Sequence, residues 1–263
     1  MSTPTSARTL QDSARIALAC LDLTTLGDHD SDTDVLALCQ RAQSPHGPVA
    51  AVCVWPGFAS LARQHLPAGI AVAAVANFPD GGTDPEAAAR DAAEIVDAGA
   101  QEVDVVLPYA ALMRGDEAVV AAVLAATRKA SQGVRLKVIL ETGELKTEAL
   151  IRRAAHIALS EGADFLKTST GKTPVGATLD AARLLLQAIA HTPGAAGRVG
   201  FKPSGGIRTV AEAEGYIALT ESILGGAALH PSRLRFGASS LLNDIAAVLA
   251  GTAPPPVAAP GSY

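Results

Sequence analysis

Eight short apolar runs recur along the chain, separated by alanine-rich stretches with helical spacing. They predict strands at Ala19–Asp22, Ala50–Val54, Ile70–Asn77, Glu102–Leu107, Arg135–Glu141, Phe165–Ser169, Gly200–Pro203 and Arg235–Ala238. The intervening segments carry helix signals. Asp84-Pro85 reads as an N-cap with proline in the first turn, and Gly99 closes that helix. Asp116 opens a helix whose Val119, Val120, Val123 and Leu124 share one face, Thr147 and Gly162 bracket another, and Thr178 opens a fourth. Eight strands alternating with helices over about 250 residues is the rhythm of a (β/α)₈ TIM barrel. An open doubly wound sheet is the alternative, but no GxGxxG follows the first strand. The expected division is one barrel domain over residues 1–250 and a flexible Pro/Ala-rich tail, "GTAPPPVAAPGSY", over 251–263.

Composition narrows the function classes. The chain is 49% hydrophobic with few aromatics, as expected of helices packed closely on strands. A net charge of −5 gives no footprint for nucleic acid or an anionic membrane, so any phosphate must be caught locally. No apolar run approaches the roughly 20 residues of a membrane span. The N-terminal segment has no basic stretch followed by a dense apolar one, so no signal peptide is expected. Cys20, Cys39 and Cys53 form no CxxC pair, which fits reduced thiols and a cytoplasmic location. The six histidines have no metal-ligand spacing, and no metal or cofactor is expected.

Three charged residues share a position. Asp104, Lys167 and Lys202 lie five residues beyond Gly99, Gly162 and Gly197. If each glycine ends a helix, all three sit near the C-terminal ends of their strands, which is the catalytic face of a barrel. Alternation turns Lys167 and Lys202 toward the interior. Desolvation and a neighbouring cation both lower a lysine pKa from about 10.4. A value near ~7–8 would leave an amine able to attack a carbonyl and form a Schiff base. Asp104 is then the candidate to hold the second lysine and move protons.

"LKTSTGKT" looks like a Walker A loop, but Leu166 stands where the first glycine is required. The better reading joins three segments after late strands: Gly171-Lys172, Ser204-Gly205-Gly206 and Gly237-Ala238-Ser239-Ser240. Glycines let backbone N–H groups approach an anion, and a helix beginning at Ser239 and Ser240 adds free donors and its dipole.

The segments "LDLTTL", "AVCVWP", "EVDVVLPYAALMRGDE", "LKVILETGEL", "GADFLKTSTGK", "VGFKPSGGIRT" and "RFGASSLL" closely resemble the 2-deoxyribose-5-phosphate aldolase family. The resemblance implies a metal-free class I aldolase on a (β/α)₈ barrel. Such an enzyme reversibly cleaves 2-deoxy-D-ribose 5-phosphate to D-glyceraldehyde 3-phosphate and acetaldehyde. It implies Lys167 as the Schiff-base lysine, Asp104 as proton donor and acceptor, and Lys202 as the group that perturbs Lys167. It places Asp22 and Thr24 at substrate hydroxyls and Cys53 beside the acetaldehyde end, where a packing cysteine is the other reading. Thr170, Gly171, Lys172, Gly205, Gly206, Ser239 and Ser240 fall on the substrate and phosphate side. The partners expected are small phosphorylated sugars and aldehydes, with a homodimer as the assembly. Pro174 departs from the pattern in the loop after Lys172, and Tyr263 is a candidate to fold over the mouth and assist proton transfer. Another lysine-dependent sugar-phosphate aldolase or transaldolase, and a sugar-phosphate sensor without chemistry, are the rival readings.

Overall fold

A computed structural model describes residues 8–252. The barrel strands are β1 (Leu21–Thr24), β2 (Ala51–Val54), β3 (Ala71–Ala76), β4 (Glu102–Val106), β5 (Arg135–Ile139), β6 (Phe165–Lys167), β7 (Gly200–Lys202) and β8 (Phe236–Ala238). They form one eight-stranded sheet, all parallel, in the order β8-β1-β2-β3-β4-β5-β6-β7. The seam between β7 and β8 is closed by backbone bonds. Phe201 N–H donates to Arg233 O at 2.8 Å, Arg235 N–H to Phe201 O at 3.0 Å, and Gly237 N–H to Pro203 O at 3.0 Å. The sheet is therefore a barrel rather than an open doubly wound sheet.

The longer helices are α1 (Leu10–Ala19), α2 (Asp32–Arg41), α3 (Ala59–His65), α4 (Pro85–Asp97), α5 (Glu117–Ala130), α6 (Glu148–Ser160), α7 (Leu179–His191), α8 (Val210–Leu224) and α9 (Leu241–Ala250). Their caps are those the sequence signals predict. Asp84, Asp116, Thr147 and Thr178 each accept a first-turn N–H through the side chain. One boundary moves. The first strand begins at Leu21, not Ala19, because a Thr9–Asp12 capping box starts α1 and the helix runs through Ala19, with Cys20 N–H bonding back to Ile16 O. The Gly197 signal also differs in cause. Gly99 and Gly162, both at φ 84°, follow α4 and α6 directly, whereas α7 ends at His191 and Gly194 makes the left-handed turn. Each of the three strands still begins three residues after its glycine, so Asp104, Lys167 and Lys202 are each the third residue of a strand. Apart from Gly251 and Thr252, the expected tail lies outside the described residues, and so does Tyr263.

Strand alternation sorts the barrel's side chains by chemistry. Leu21, Leu23, Val52, Val72, Val103, Leu136, Val138, Leu166 and Phe201 belong to the apolar cluster that includes the helices' buried faces. The other phase of the same strands carries Asp22, Glu102, Asp104, Lys137, Lys167 and Lys202, all buried. No described helix is long and apolar enough to cross a membrane.

Candidate active site

The interior charges form one connected chain of ion pairs. Asp104 lies at its centre. Its Oδ2 accepts from Lys167 Nζ at 2.9 Å and Lys202 Nζ at 2.7 Å, and its Oδ1 from Lys137 Nζ at 2.6 Å. Lys202 also reaches Asp22 Oδ2 at 2.5 Å, and Arg235 reaches Asp22 Oδ1 at 2.5 Å. Below this, Glu102 binds Lys137 at 2.6 Å, Arg235 at 2.8 Å and Arg135 at 2.5 Å. Register explains the reach: Lys167 pairs directly with Lys202 across β6 and β7, and Asp104 pairs with Lys137 across β4 and β5.

Counting the buried charges separates the lysines. Asp22, Glu102 and Asp104 supply three negative charges, and all three are fully buried. Lys137, Lys202 and Arg235 each hold two of those carboxylates at 3.2 Å or less. Lys167 has one carboxylate oxygen, at the longer distance of 2.9 Å, and shares it with Lys202. These three fixed cations match the three ion-paired carboxylates, and Arg135 adds a partly exposed fourth cation at Glu102. Burial raises the pKa of the remaining interior carboxyl, Glu141, so a charge on Lys167 would be poorly compensated.

The titration directions agree. Burial drives the Lys167 pKa below the ordinary lysine value, repulsion from Lys202 adds to this, and Asp104 opposes it. Like-charge repulsion, on which the sequence reading leaned beside desolvation, is thus the smaller cause. Burial also works against the charge on Lys202, but the Asp104 and Asp22 carboxylates outweigh it and its pKa rises. Lys137 behaves the same way through Asp104 and Glu102. Burial would raise Asp104, yet Lys137, Lys167 and Lys202 hold it well below the carboxylate range.

The remaining sequence candidates divide into two groups. Asp22, expected at a substrate hydroxyl, has both oxygens committed to Lys202 and Arg235 and is a counter-ion. The Thr24 hydroxyl donates to Asp22 O at 2.9 Å. Cys53 lies with Leu26, Ala73 and Val75 in a small apolar cluster flanked by Trp55 and Phe78. Its Sγ is 4.0 Å from Asp104 Oδ2, and burial raises the thiol's pKa. It is a packing cysteine that sits beside the Asp104 carboxylate.

On the other side of the mouth, Gly171, Gly205 and Gly206 all adopt left-handed backbone, at φ 83°, 86° and 86°. The loops interlock, since Ala177 N–H donates to Gly205 O at 3.1 Å and a Cβ on Gly176 would lie 2.3 Å from that oxygen. Ser204 bridges to Gly237, which brings the end of β8 beside them. Ser239 and Ser240 are exposed, and Ser240 precedes α9 without a side-chain cap bond. Lys172 leans the other way, with Nζ 2.9 Å from Asp28 Oδ1 and 6.0 Å from the Trp55 ring centroid. Thr170 is held by Glu141, which is itself at φ 56°.

Lys137, Glu102, Arg235 and Glu141 are not singled out by the sequence reading. The available signal was phase: Lys137 and Glu102 occupy the inward positions of otherwise apolar strands, two residues from Ile139 and Asp104. Among the described residues, no group of three or more His, Cys, Asp or Glu is placed to hold a metal ion.

Comparison with known proteins agrees with this geometry. A curated deoxyribose-phosphate aldolase from Agrobacterium fabrum is 47% identical over 250 residues, 93% of this chain and 94% of the relative. The crystal structure of a protein assigned as a deoxyribose-phosphate aldolase from Toxoplasma gondii superposes with a TM-score of 0.84 at 26% identity, covering 92% of this chain and 95% of that one. One from Coccidioides immitis, similarly assigned, gives 0.76 at 28% identity over 88% and 86%. The family model described as "DeoC/LacD family aldolase" matches residues 16–247, and the chain belongs to this family.

Proposed function

We infer that this chain catalyses the reversible cleavage of 2-deoxy-D-ribose 5-phosphate to D-glyceraldehyde 3-phosphate and acetaldehyde as a Schiff-base aldolase. The observation that carries the reading is the interior charge balance, which leaves Lys167 as the one buried lysine without a carboxylate of its own.

The neutral Lys167 amine attacks the aldehyde carbon of the ring-opened sugar, and loss of water gives an iminium. The iminium draws electrons from the adjacent carbon. Removal of the C3 hydroxyl proton then breaks C2–C3 and releases glyceraldehyde 3-phosphate. Asp104, bound to both Lys167 and Lys202, is placed to move protons between them. The resulting enamine takes a proton at C2, and hydrolysis frees acetaldehyde and restores the amine. Leu26, Cys53, Ala73 and Val75 offer the apolar wall that suits the two-carbon product. The substrate phosphate is assigned to Gly171, Lys172, Gly205, Gly206, Ser239 and Ser240, where left-handed glycines and the open start of α9 gather N–H donors. Lys172 would exchange Asp28 for the phosphate.

The assembly expected from the resemblance is a homodimer, which sedimentation measures. A cytoplasmic location fits the three free, buried cysteines.

Borohydride reduction in the presence of acetaldehyde, followed by mass mapping, tests the assignment. An ethyl adduct on Lys167, absent in Lys167→Leu, is expected. An adduct on Lys202 or Lys137 instead would reverse the assignment. Product analysis with deoxyribose phosphate separates this activity from that of another lysine-dependent aldolase.

A further inference from the structure

The opposite end of the barrel carries a cavity of about 680 Å³, largely apolar but with arginines in its wall. Its walls come from the N-terminal ends of the strands, including Ala71, Arg135 and Arg235, together with α1 and the turns before β2, β3 and β8. Its charge is one-sided. Arg15, Arg135, Arg235, His46 and His230 line it and no described carboxylate does, although Arg15 pairs with Asp12 outside the wall at 3.1 Å. Glu102 and Asp22 lie behind the arginines, fully buried, rather than in the cavity wall. Arg235 is fixed by Asp22, Glu102 and Pro231 O. Arg135 is different: among the described residues its guanidinium hydrogen-bonds only Glu102, through Nη1. Its side chain is about a third exposed (35%), which leaves Nε and Nη2 open to a ligand. Both guanidiniums are held within 6 Å of the Phe165 ring, at 5.7 and 5.8 Å, so their planes do not wander. Preorganised guanidinium N–H groups in a concave site select tetrahedral oxyanions over chloride.

This cavity is joined to the reactive amine by the ion pairs already described. Arg135 and Arg235 hold Glu102, Glu102 holds Lys137, and Lys137 holds Asp104. In parallel, Arg235 holds Asp22, Asp22 holds Lys202, and Lys202 holds Asp104. We propose that the basal cavity is a regulatory site for a small, multiply charged oxyanion of the phosphate class, whose occupancy slows the aldolase at neutral pH. The sign follows from charge. A dianion at the base adds negative potential along the buried ion-pair axis and competes with Glu102 and Asp22 for the charge of the fixed arginines. Lys167 then becomes a needed cation, and an ammonium cannot attack a carbonyl. The groups facing Lys167 through which this acts are Asp104 on β4, Lys137 on β5, Lys202 on β7, Cys53 on β2 and Glu141 after β5.

The regulatory effect rests on Lys167 as the amine; the binding does not, so the two are measured separately. Inorganic phosphate is the probe, with chloride at matched ionic strength as the control. Binding is read by calorimetry, and the effect by deuterium exchange into acetaldehyde against pH, a partial reaction with no substrate phosphate to displace. In the unaltered protein, phosphate should move the acidic midpoint of exchange upward by about one pH unit. Lys172→Ala, at the mouth, should keep the shift, and Arg135→Gln should lose both the shift and the basal binding heat. If Arg135→Gln folds poorly, Arg15→Gln with His46→Ala on the exposed rim should weaken binding several-fold and leave exchange in chloride unchanged. A shift lost in Lys172→Ala but kept in Arg135→Gln would place the anion at the mouth and overturn the proposal. So would basal binding with an unmoved pH profile. Exchange that survives in Lys167→Leu would instead overturn the assignment of the amine.

Discussion

Lys167 and Lys202 have the same side chain, the same strand position and nearly the same burial, yet they titrate in opposite directions. Partners make the difference: Lys202 sits between two carboxylates, and Lys167 touches one oxygen that Lys202 already uses. This yields a prediction with a definite sign. In Lys202→Leu, two fixed cations remain against three carboxylates, so Lys167 becomes the third cation and its pKa rises. Activity at pH 7 should fall, and the pH optimum should move up by about one to two units. Lys137→Met should shift it in the same direction, since Lys137 balances Glu102 and Asp104. A pH–rate profile for each variant checks this; unshifted profiles would mean the charge balance does not set the amine's protonation.

At the level of elements, much of the barrel is legible because strand alternation and helix caps are local signals. The offsets from Gly99, Gly162 and Gly197 also placed Asp104, Lys167 and Lys202 at equal depth, although only two of those glycines end a helix. What escaped the sequence are Glu102 and Arg235, at or just before their strand starts, and Lys137, level with Asp104 on β5. A charge there reads as a solvated strand end, and only closure of the barrel makes it interior. The ion pair of Asp22 with Arg235 escaped for the same reason, since the two lie 213 residues apart. The β8 strand illustrates how closely the elements constrain the chemistry. A Cβ at Gly237 would lie 2.5 Å from Ser204 Oγ and 3.1 Å from Lys202 Cε. Gly237→Ala should therefore destabilise the fold by about 1–3 kcal/mol and lower turnover by displacing Lys202. Thermal denaturation and kcat, measured together, check it; loss of stability with unchanged kcat would show that Ser204 alone yields.

For the whole molecule, an interior of ion pairs sets the pH range of stability. The Asp22, Glu102 and Asp104 pKa values are depressed by their cations despite burial. Their contribution is present above the unfolded carboxylate values, about 3.9 to 4.3, and is lost as pH falls through the lower folded values. The raised Lys137 and Lys202 contribute below about 10.4 and lose that contribution only as pH rises through their folded values. The melting temperature should thus drop below about pH 4 and, because Lys167 is neutral in the fold at pH values where the unfolded lysine is still charged, rise gently with pH between its depressed folded value and about 10.4. A decline already between pH 5 and 7 would mean that the carboxylates are not held charged. The same axis links the substrate mouth to the basal arginines.

The most direct test of the account is the protonation of the individual buried lysines, read from the Nζ resonances of ¹⁵N-lysine-labelled protein through a pH titration. Lys167 should be the first to lose its proton, deprotonating well below the ordinary lysine value while Lys137 and Lys202 remain charged. A Lys167 ammonium that persists to about pH 10, the unperturbed lysine value, would contradict the charge balance and the mechanism built on it.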